Sequence, residues 1–169
     1  MTKTLDNEYV LELPELESKI DLNSIAERYK KGETSHMEGS GTYGWKIDSN
    51  DVSVNYIKNI FLDEDITDIK YWYQIKMKHK YLRPHTDTHF RDTCIIFPIE
   101  PKNYQLLHFK TQNDISHVLS FRHPTLINTN LSHGTFDLGL ERHAFQISFN
   151  ISDYTWSKAK KIIKEKINE

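Results

Sequence analysis

The fold is decided by the stretch Arg-His-Ala-Phe-Gln-Ile-Ser-Phe-Asn-Ile at residues 142–151. Large apolar side chains recur at every second position from Phe145 onward, and the residues between them are polar or small. A period of two is the repeat of a β-strand, because successive side chains point to opposite faces of the sheet. The stretch therefore predicts a strand with an apolar face turned to a core or a covering helix. We expect its other face to look into water or a polar cavity.

Five further runs rich in β-branched and aromatic residues precede this strand within residues 69–151. Turn residues separate the runs at intervals of about ten positions, and no helical segment lies between them. Short strands without intervening helices favour antiparallel sheets over parallel βαβ units. We therefore predict a mainly β fold with a double-stranded β-helix, or jelly-roll, core. The predicted strands cover residues 70–77, 93–99, 104–110, 118–121, 125–130 and 142–151.

Helical patterns lie on both sides of this core. Residues 21–31 and 51–62 carry apolar side chains at helical spacing, and so do residues 153–167. The length of 169 residues is that of one ordinary domain, and we predict a single domain over residues 1–169. The predicted segments are an N-terminal helical approach (residues 1–68), the jelly-roll core (69–151) and a C-terminal helix (152–169).

The composition excludes several classes of protein. A hydrophobic fraction of 37% with 12% aromatic residues is enough to form a core, so a disordered chain is excluded. The 22 Lys and Arg residues stand against 24 Asp and Glu, without the basic block of a nucleic-acid-binding protein. No apolar run approaches the roughly 20 residues of a membrane span, and the N-terminus shows no targeting signal. We therefore expect a cytoplasmic protein with no nucleic-acid or membrane partner.

Two segments supply side chains suited to a metal ion. His85 and Asp87 are two positions apart in a stretch that enters a strand, so their side chains leave the same face. A second segment follows a predicted strand and contains His133. Two imidazoles and one carboxylate form a facial triad, the ligand set that leaves open positions on a non-haem Fe(II). The sequence thus predicts one metal ion bound by His85, Asp87 and His133.

An arginine follows the second segment. Arg142 lies nine residues after His133, on the next strand, and the two are close if these segments pair as a hairpin. Its guanidinium would bind a carboxylate through two parallel hydrogen bonds. Ser148, which shares a face of the strand with Arg142, would add a hydroxyl group.

The order His-x-Asp, a distal His and then a basic residue resembles the Fe(II)/2-oxoglutarate-dependent dioxygenases, which have a double-stranded β-helix core. The Leu-x-Pro-His-x-Asp pattern of residues 82–87 is similar to the prolyl-hydroxylase-like and aspartyl/asparaginyl-hydroxylase-like branches, including small phage and bacterial members. The resemblance covers roughly residues 69–151. It implies that the triad binds iron and that Arg142, assisted by Ser148, binds the distal carboxylate of 2-oxoglutarate.

The family patterns leave further cosubstrate contacts open. Some aspartyl-hydroxylase-like members have an Arg-x-His sequence where this chain has Arg-Asp-Thr, so Arg91 or Thr93 is an alternative contact. Tyr73 matches a tyrosine that some prolyl-hydroxylase-like members turn toward 2-oxoglutarate, although an aromatic in a β core is more often a packing residue. Cys94 lies in an apolar run and is predicted to be a buried residue without chemistry.

The resemblance implies an oxygenase that uses Fe(II), 2-oxoglutarate and O2, with ascorbate as a candidate reductant. The implied substrate is a prolyl, aspartyl or asparaginyl side chain of a protein or peptide, and a free amino acid is the alternative. Residues 32–50 contain four of the six glycines and are predicted to be a long loop, either a lid that closes over the site with Tyr43 and Trp45 or a flexible surface loop. Two other classes stay open: a cupin-like metal-binding jelly roll that is not an oxygenase, and a non-catalytic protein that retains the fold.

Overall fold

The protein is built from two antiparallel sheets and flanking helices. Its computed structural model describes residues 4–29, 35–37, 42–47, 55–61, 66–74, 84–101, 105–111, 116–135 and 141–168. The elements are β1 (Val10–Glu12), α1 (Leu22–Tyr29), β2 (Ser35–Met37), β3 (Thr42–Lys46), α2 (Asn55–Ile60), β4 (Ile66–Gln74), β5 (Thr93–Glu100), β6 (Gln105–Lys110), β7 (Ser116–Phe121), β8 (Thr125–Asn128), β9 (His133–Thr135), β10 (Arg142–Phe149) and α3 (Trp156–Asn168).

The strands form a large and a small sheet. The large sheet has the order β1-β8-β5-β10-β4-β3-β2, and the small sheet has the order β7-β6-β9. An apolar cluster that includes Ile96 and Ala144 of the large sheet and Phe109 of the small sheet lies between them. This arrangement confirms the predicted mainly β, jelly-roll core. The predicted boundary of that core is wrong, because β1, β2 and β3 of the large sheet lie within residues 1–68, which the sequence predicts to be a helical approach.

Strand β10 separates two environments, as its alternation predicts. Phe145, Ile147 and Phe149 belong to a second apolar cluster, on the face of the large sheet that the helices cover. Ala144 instead belongs to the cluster between the sheets. Because side chains alternate along a strand, Arg142 and Ser148 share the face of Ala144. The polar set of β10 therefore faces the interior of the jelly roll.

The C-terminal helix α3 covers the outer face of the large sheet. Ala159 and Ile163 are buried in the same cluster as Phe145, and Trp156 and Ile167 pack against it. The apolar face predicted for residues 142–151 is therefore turned to a covering helix. The helix begins later than predicted because a turn precedes it, in which Asp153 has a positive φ of 50°.

The glycine-rich stretch contains two strands, so the loop predicted over residues 32–50 is wrong for part of its length. Strands β2 and β3 extend the large sheet beyond β4, with Tyr43 opposite Tyr73 and Trp45 opposite Tyr71. Strand β2 pairs with β3, and β3 pairs with β4, which lies more than twenty positions further along the chain. The local glycine content gives no sign of such distant pairing. Residues 42–46 are part of a sheet, and the lid role of the stretch stays a prediction. Apart from β2, β3 and Ile47, the stretch lies outside the described residues.

Helix α1 falls within its predicted range, and the described part of the second predicted helix is α2. Across the described ranges, no helix is both long enough and apolar enough to cross a membrane.

Candidate metal centre

Two histidines meet through a backbone bridge next to the small sheet. His85 and His133 exchange both backbone hydrogen bonds, with N···O distances of 2.9 and 2.8 Å. Residues paired in this way direct their side chains to the same side. The imidazole rings accordingly lie side by side, with centroids 4.6 Å apart.

A short turn brings the carboxylate to the same point. The amide of Asp87 donates to the carbonyl of Thr129, and the carbonyl of Asp87 accepts from the amides of Phe90 and Arg91. The Asp87 side chain then reaches both rings: Oδ1 is 3.5 Å from Nε2 of His85, and Oδ2 is 3.5 Å from Nε2 of His133. One ligand atom from each of the three residues lies within 4.8 Å of the others. The structure thus brings the three predicted ligands together.

The donor set fits a cation. Nδ1 of His133 is 2.9 Å from the carbonyl oxygen of Leu131, which can only accept, so the proton of a neutral His133 belongs on Nδ1. The lone pair of Nε2 then faces a carboxylate oxygen of Asp87. An unprotonated imidazole nitrogen next to an anionic carboxylate is stable only with a positive charge close to both groups, which a proton or a metal ion would supply. This is the arrangement that a metal-binding histidine and carboxylate require.

The carboxylate is ionised. Burial alone would raise the pKa of Asp87, but the neighbouring His133 and the charge of Arg91 outweigh it and hold the pKa well below its usual value. Asp87 is therefore an anionic ligand throughout the physiological range.

Arg91 is the closest cation to this carboxylate among the described residues. Its Nε and Nη2 both donate to Oδ2 of Asp87, at 2.9 and 2.6 Å, and its Nη1 donates to the hydroxyl of Ser148 at 3.1 Å. The same hydroxyl accepts from Nε2 of Gln146 at 3.1 Å. Asp87 and Arg91 are four positions apart, a spacing that is visible in the sequence. The ion pair forms because the chain turns directly after Asp87.

Arg142 lies at the far end of the inner face of β10. It is 2% exposed, its Nη2 donates to Oε1 of Gln105 at 2.7 Å, and its guanidinium lies 5.8 Å from the ring centre of Trp72. Burial lowers the pKa of Arg142 to about 10, so it remains a cation at neutral pH. No local pattern links Gln105 or Trp72 to Arg142, because β6 and β4 are distant from β10 in sequence.

Ser148 does not assist Arg142, contrary to the sequence prediction. Both residues face the interior, but six residues of extended strand at about 3.3 Å each separate them by roughly 20 Å. The Ser148 hydroxyl instead contacts Arg91 at the metal end. The period of two assigns a face to each residue and says nothing about distance along the strand.

Arg91 and Thr93, the alternative residues for contact with the cosubstrate, make hydrogen bonds within the protein. The Thr93 hydroxyl donates to the carbonyl of Ile127 at 2.5 Å, and three nitrogens of Arg91 donate to Asp87 and Ser148. The Tyr73 side chain lies outside what the structure describes.

Cys94 is buried, as predicted, and burial raises the pKa of its thiol to about 11. At pH 8 roughly one thiol in a thousand is then ionised, and the thiolate is the reactive form. We expect Cys94 to resist iodoacetamide in the folded protein and to react in denaturant, as measured by intact mass. Rapid labelling of the folded protein at pH 8 would contradict the burial described here.

The fold is similar to that of several solved oxygenases, although no protein-family model and no curated protein matches the sequence. A prolyl-4-hydroxylase from Pseudomonas putida is 12% identical, with a TM-score of 0.55 over 87% of this chain and 91% of that one. HygX from Streptomyces hygroscopicus, solved with nickel and 2-oxoglutarate, is 11% identical, with a TM-score of 0.57 over 88% and 85%.

A third structure gives a similar result. A prolyl hydroxylase from Trichoplax adhaerens, solved in complex with a hypoxia inducible factor oxygen degradation domain peptide fragment, is 12% identical. Its TM-score is 0.60, over 85% of this chain and 84% of that one. Similarity at these identities concerns the fold. The chain has the fold of the 2-oxoglutarate-dependent oxygenases.

Proposed function

We propose that this protein is a non-haem Fe(II)- and 2-oxoglutarate-dependent oxygenase that hydroxylates its substrate. The observation that carries the proposal is the convergence of His85, Asp87 and His133, with ligand atoms within 4.8 Å of one another. His133 and Asp87 are buried, whereas the His85 side chain is 38% exposed, so the site opens to solvent on one side. Such a site holds a metal firmly and leaves one side for a substrate.

Each residue has a defined task in this proposal. His85, Asp87 and His133 would hold the ion, and the carbonyl of Leu131 would keep Nε2 of His133 free of a proton. Bound Fe(II) would supply the activation of O2 that couples oxidative decarboxylation of 2-oxoglutarate to hydroxylation, giving succinate, CO2 and the hydroxylated product. Arg142 would neutralise the distal carboxylate of the cosubstrate from inside the jelly roll.

The test is turnover of 2-oxoglutarate. Purified protein with Fe(II), ascorbate and O2 should convert 2-oxoglutarate to succinate slowly on its own and faster when substrate is added. The Asp87→Ala variant is the control, because it removes the anionic ligand. Tight binding of Zn2+ without any succinate formation would instead favour the cupin-like alternative.

The proposed substrate is a prolyl, aspartyl or asparaginyl side chain of a protein or peptide, with a free amino acid as the alternative. Residues 88–90, which follow Asp87, are exposed, and Phe90 is 77% exposed three positions from Asp87. An open rim with an exposed aromatic suits a side chain presented by a larger molecule. Mass spectrometry of a cell extract, incubated with enzyme, Fe(II) and 2-oxoglutarate, should reveal a peptide that gains one oxygen. A product found only among free amino acids would favour the alternative.

Arg142→Ala should weaken the binding of 2-oxoglutarate much more than the binding of metal. A lost charge-assisted pair in a desolvated site costs about 2–4 kcal/mol, or roughly 30- to 1,000-fold in affinity. Calorimetric titration of 2-oxoglutarate into the Mn(II)-loaded protein measures the effect. Arg122→Ala, which removes an exposed arginine, is the matched control. Unchanged cosubstrate affinity in Arg142→Ala would remove this residue from the site.

A further inference from the structure

The two oxygens of Asp87 have different surroundings. Oδ2 accepts from both Nε and Nη2 of Arg91, at 2.9 and 2.6 Å, so the guanidinium fork closes on a single oxygen. Each oxygen also has a ligand histidine as its neighbour: Nε2 of His85 is 3.5 Å from Oδ1, and Nε2 of His133 is 3.5 Å from Oδ2. The two oxygens therefore differ in that the guanidinium of Arg91 donates its hydrogen bonds to Oδ2.

The arginine is itself fixed in place. Nη1 of Arg91 donates to the Ser148 hydroxyl, which also accepts from Gln146, so two inward side chains of β10 hold the far side of the guanidinium. The hydroxyl of Thr129 donates to the carbonyl of Arg91 at 3.2 Å and anchors its backbone. Arg91 is half-buried, with a side-chain exposure of 19%. A cation held from both ends is a rigid support for the carboxylate.

The contact of Arg91 with Asp87 bears on the number of coordination positions that a bound metal ion would keep open. A six-coordinate ion bound by two imidazoles and one carboxylate oxygen keeps three open positions, which a chelating cosubstrate and O2 would fill. If the carboxylate bound through both oxygens, one of those positions would be lost. An oxygen that already accepts two hydrogen bonds from a guanidinium is a poor second ligand.

We propose that Arg91 is a positioning residue that keeps Asp87 a monodentate metal ligand through Oδ1 and so preserves one coordination position for the cosubstrate. This inference rests on the proposed function and adds a role for the network of Arg91, Ser148 and Gln146. It also predicts an uncommon pattern: loss of the arginine should tighten metal binding, because a positive charge near the ion is removed, while weakening the binding of 2-oxoglutarate.

The experiment uses the full chain loaded with Mn(II), which binds without turnover. Electron–nuclear double resonance in H2(17)O counts the waters on the ion, and calorimetry measures both affinities. The unaltered protein should show three waters. Arg91→Gln should lose one water, bind Mn(II) at least as tightly, and bind 2-oxoglutarate at least about tenfold more weakly. Arg91→Lys, which keeps a charge and one hydrogen bond to Oδ2, should retain three waters.

Two further variants guard against a purely structural effect. Ser148→Ala removes the acceptor behind Arg91 and should shift the affinities in the same directions by a smaller factor. Arg28→Gln, on the exposed side of α1, is the matched control and should change nothing. The inference is overturned if Arg91→Gln keeps all its waters and its 2-oxoglutarate affinity, or if it loses metal and cosubstrate binding together. Failure of the unaltered protein to bind Mn(II) and 2-oxoglutarate would refute the proposed function itself.

Discussion

His133→Ala should abolish stoichiometric metal binding. The imidazole supplies one of three ligands, and its loss leaves only His85 and Asp87, so we expect the metal Kd to rise by more than about 100-fold. A ligand present at 100 times its Kd stabilises the native state by about 2.7 kcal/mol. Added Mn(II) should therefore raise the Tm of the unaltered protein and leave that of the variant unchanged, as thermal unfolding would show.

His89→Ala is the control for this experiment. His89 is exposed, lies two positions after Asp87, and is not one of the three residues that converge. Its removal should leave metal affinity and the metal-dependent rise in Tm intact. Wild-type affinity in His133→Ala would show that the convergence of the three side chains does not serve metal binding.

Removal of α3 should unfold the protein. Truncation after Ser152 deletes the buried Ala159 and Ile163 and exposes the outer apolar face of the large sheet, including Phe145 and Phe149. Burial of one large apolar side chain contributes roughly 1.5–3 kcal/mol, and a typical domain has about 5–15 kcal/mol in total. Circular dichroism and size-exclusion chromatography should therefore find an unfolded or aggregated chain.

Single substitutions in α3 test how much individual side chains contribute to the stability of the protein. Ile163→Ala should cost about 2–5 kcal/mol in the free energy of unfolding, because the side chain is 1% exposed. Lys161→Ala, on the exposed side of the same helix, should change it by no more than about 0.5 kcal/mol. A soluble, folded truncation that still binds Mn(II) would show that the sheet does not need this cover.

The sequence predicts the longer strands because their alternation is a local property. Strand β10 shows a period of two over eight residues, and its two faces are those that the structure has. Strands of three residues such as β1, β2 and β9 are too short to show a period. Strand β3 is five residues long and includes a glycine, and it exists because β4 offers an edge to pair with.

The difference between local patterns and contacts between distant segments also explains which parts of the candidate site are predictable from the sequence. His85 and Asp87 are found from the sequence because a spacing of two specifies a shared face. The Arg91 contacts depend on a turn that carries the guanidinium back over Asp87, and the contact of Arg142 with Gln105 joins strands far apart in the chain. The prediction that Ser148 assists Arg142 is wrong because the alternation along a strand specifies the face of each side chain and not the distance between two side chains on that face.

The position of β10 in the large sheet determines when that sheet can assemble during synthesis. This strand has β4 on one side and β5 on the other, yet it is the last of the described strands to leave the ribosome. Until residue 149 has emerged, β4 and β5 each lack the partner that joins them. The two halves of the large sheet therefore stay separate while the chain grows, and the residues that meet around Asp87 and Ser148 come together only after β10 has been synthesised.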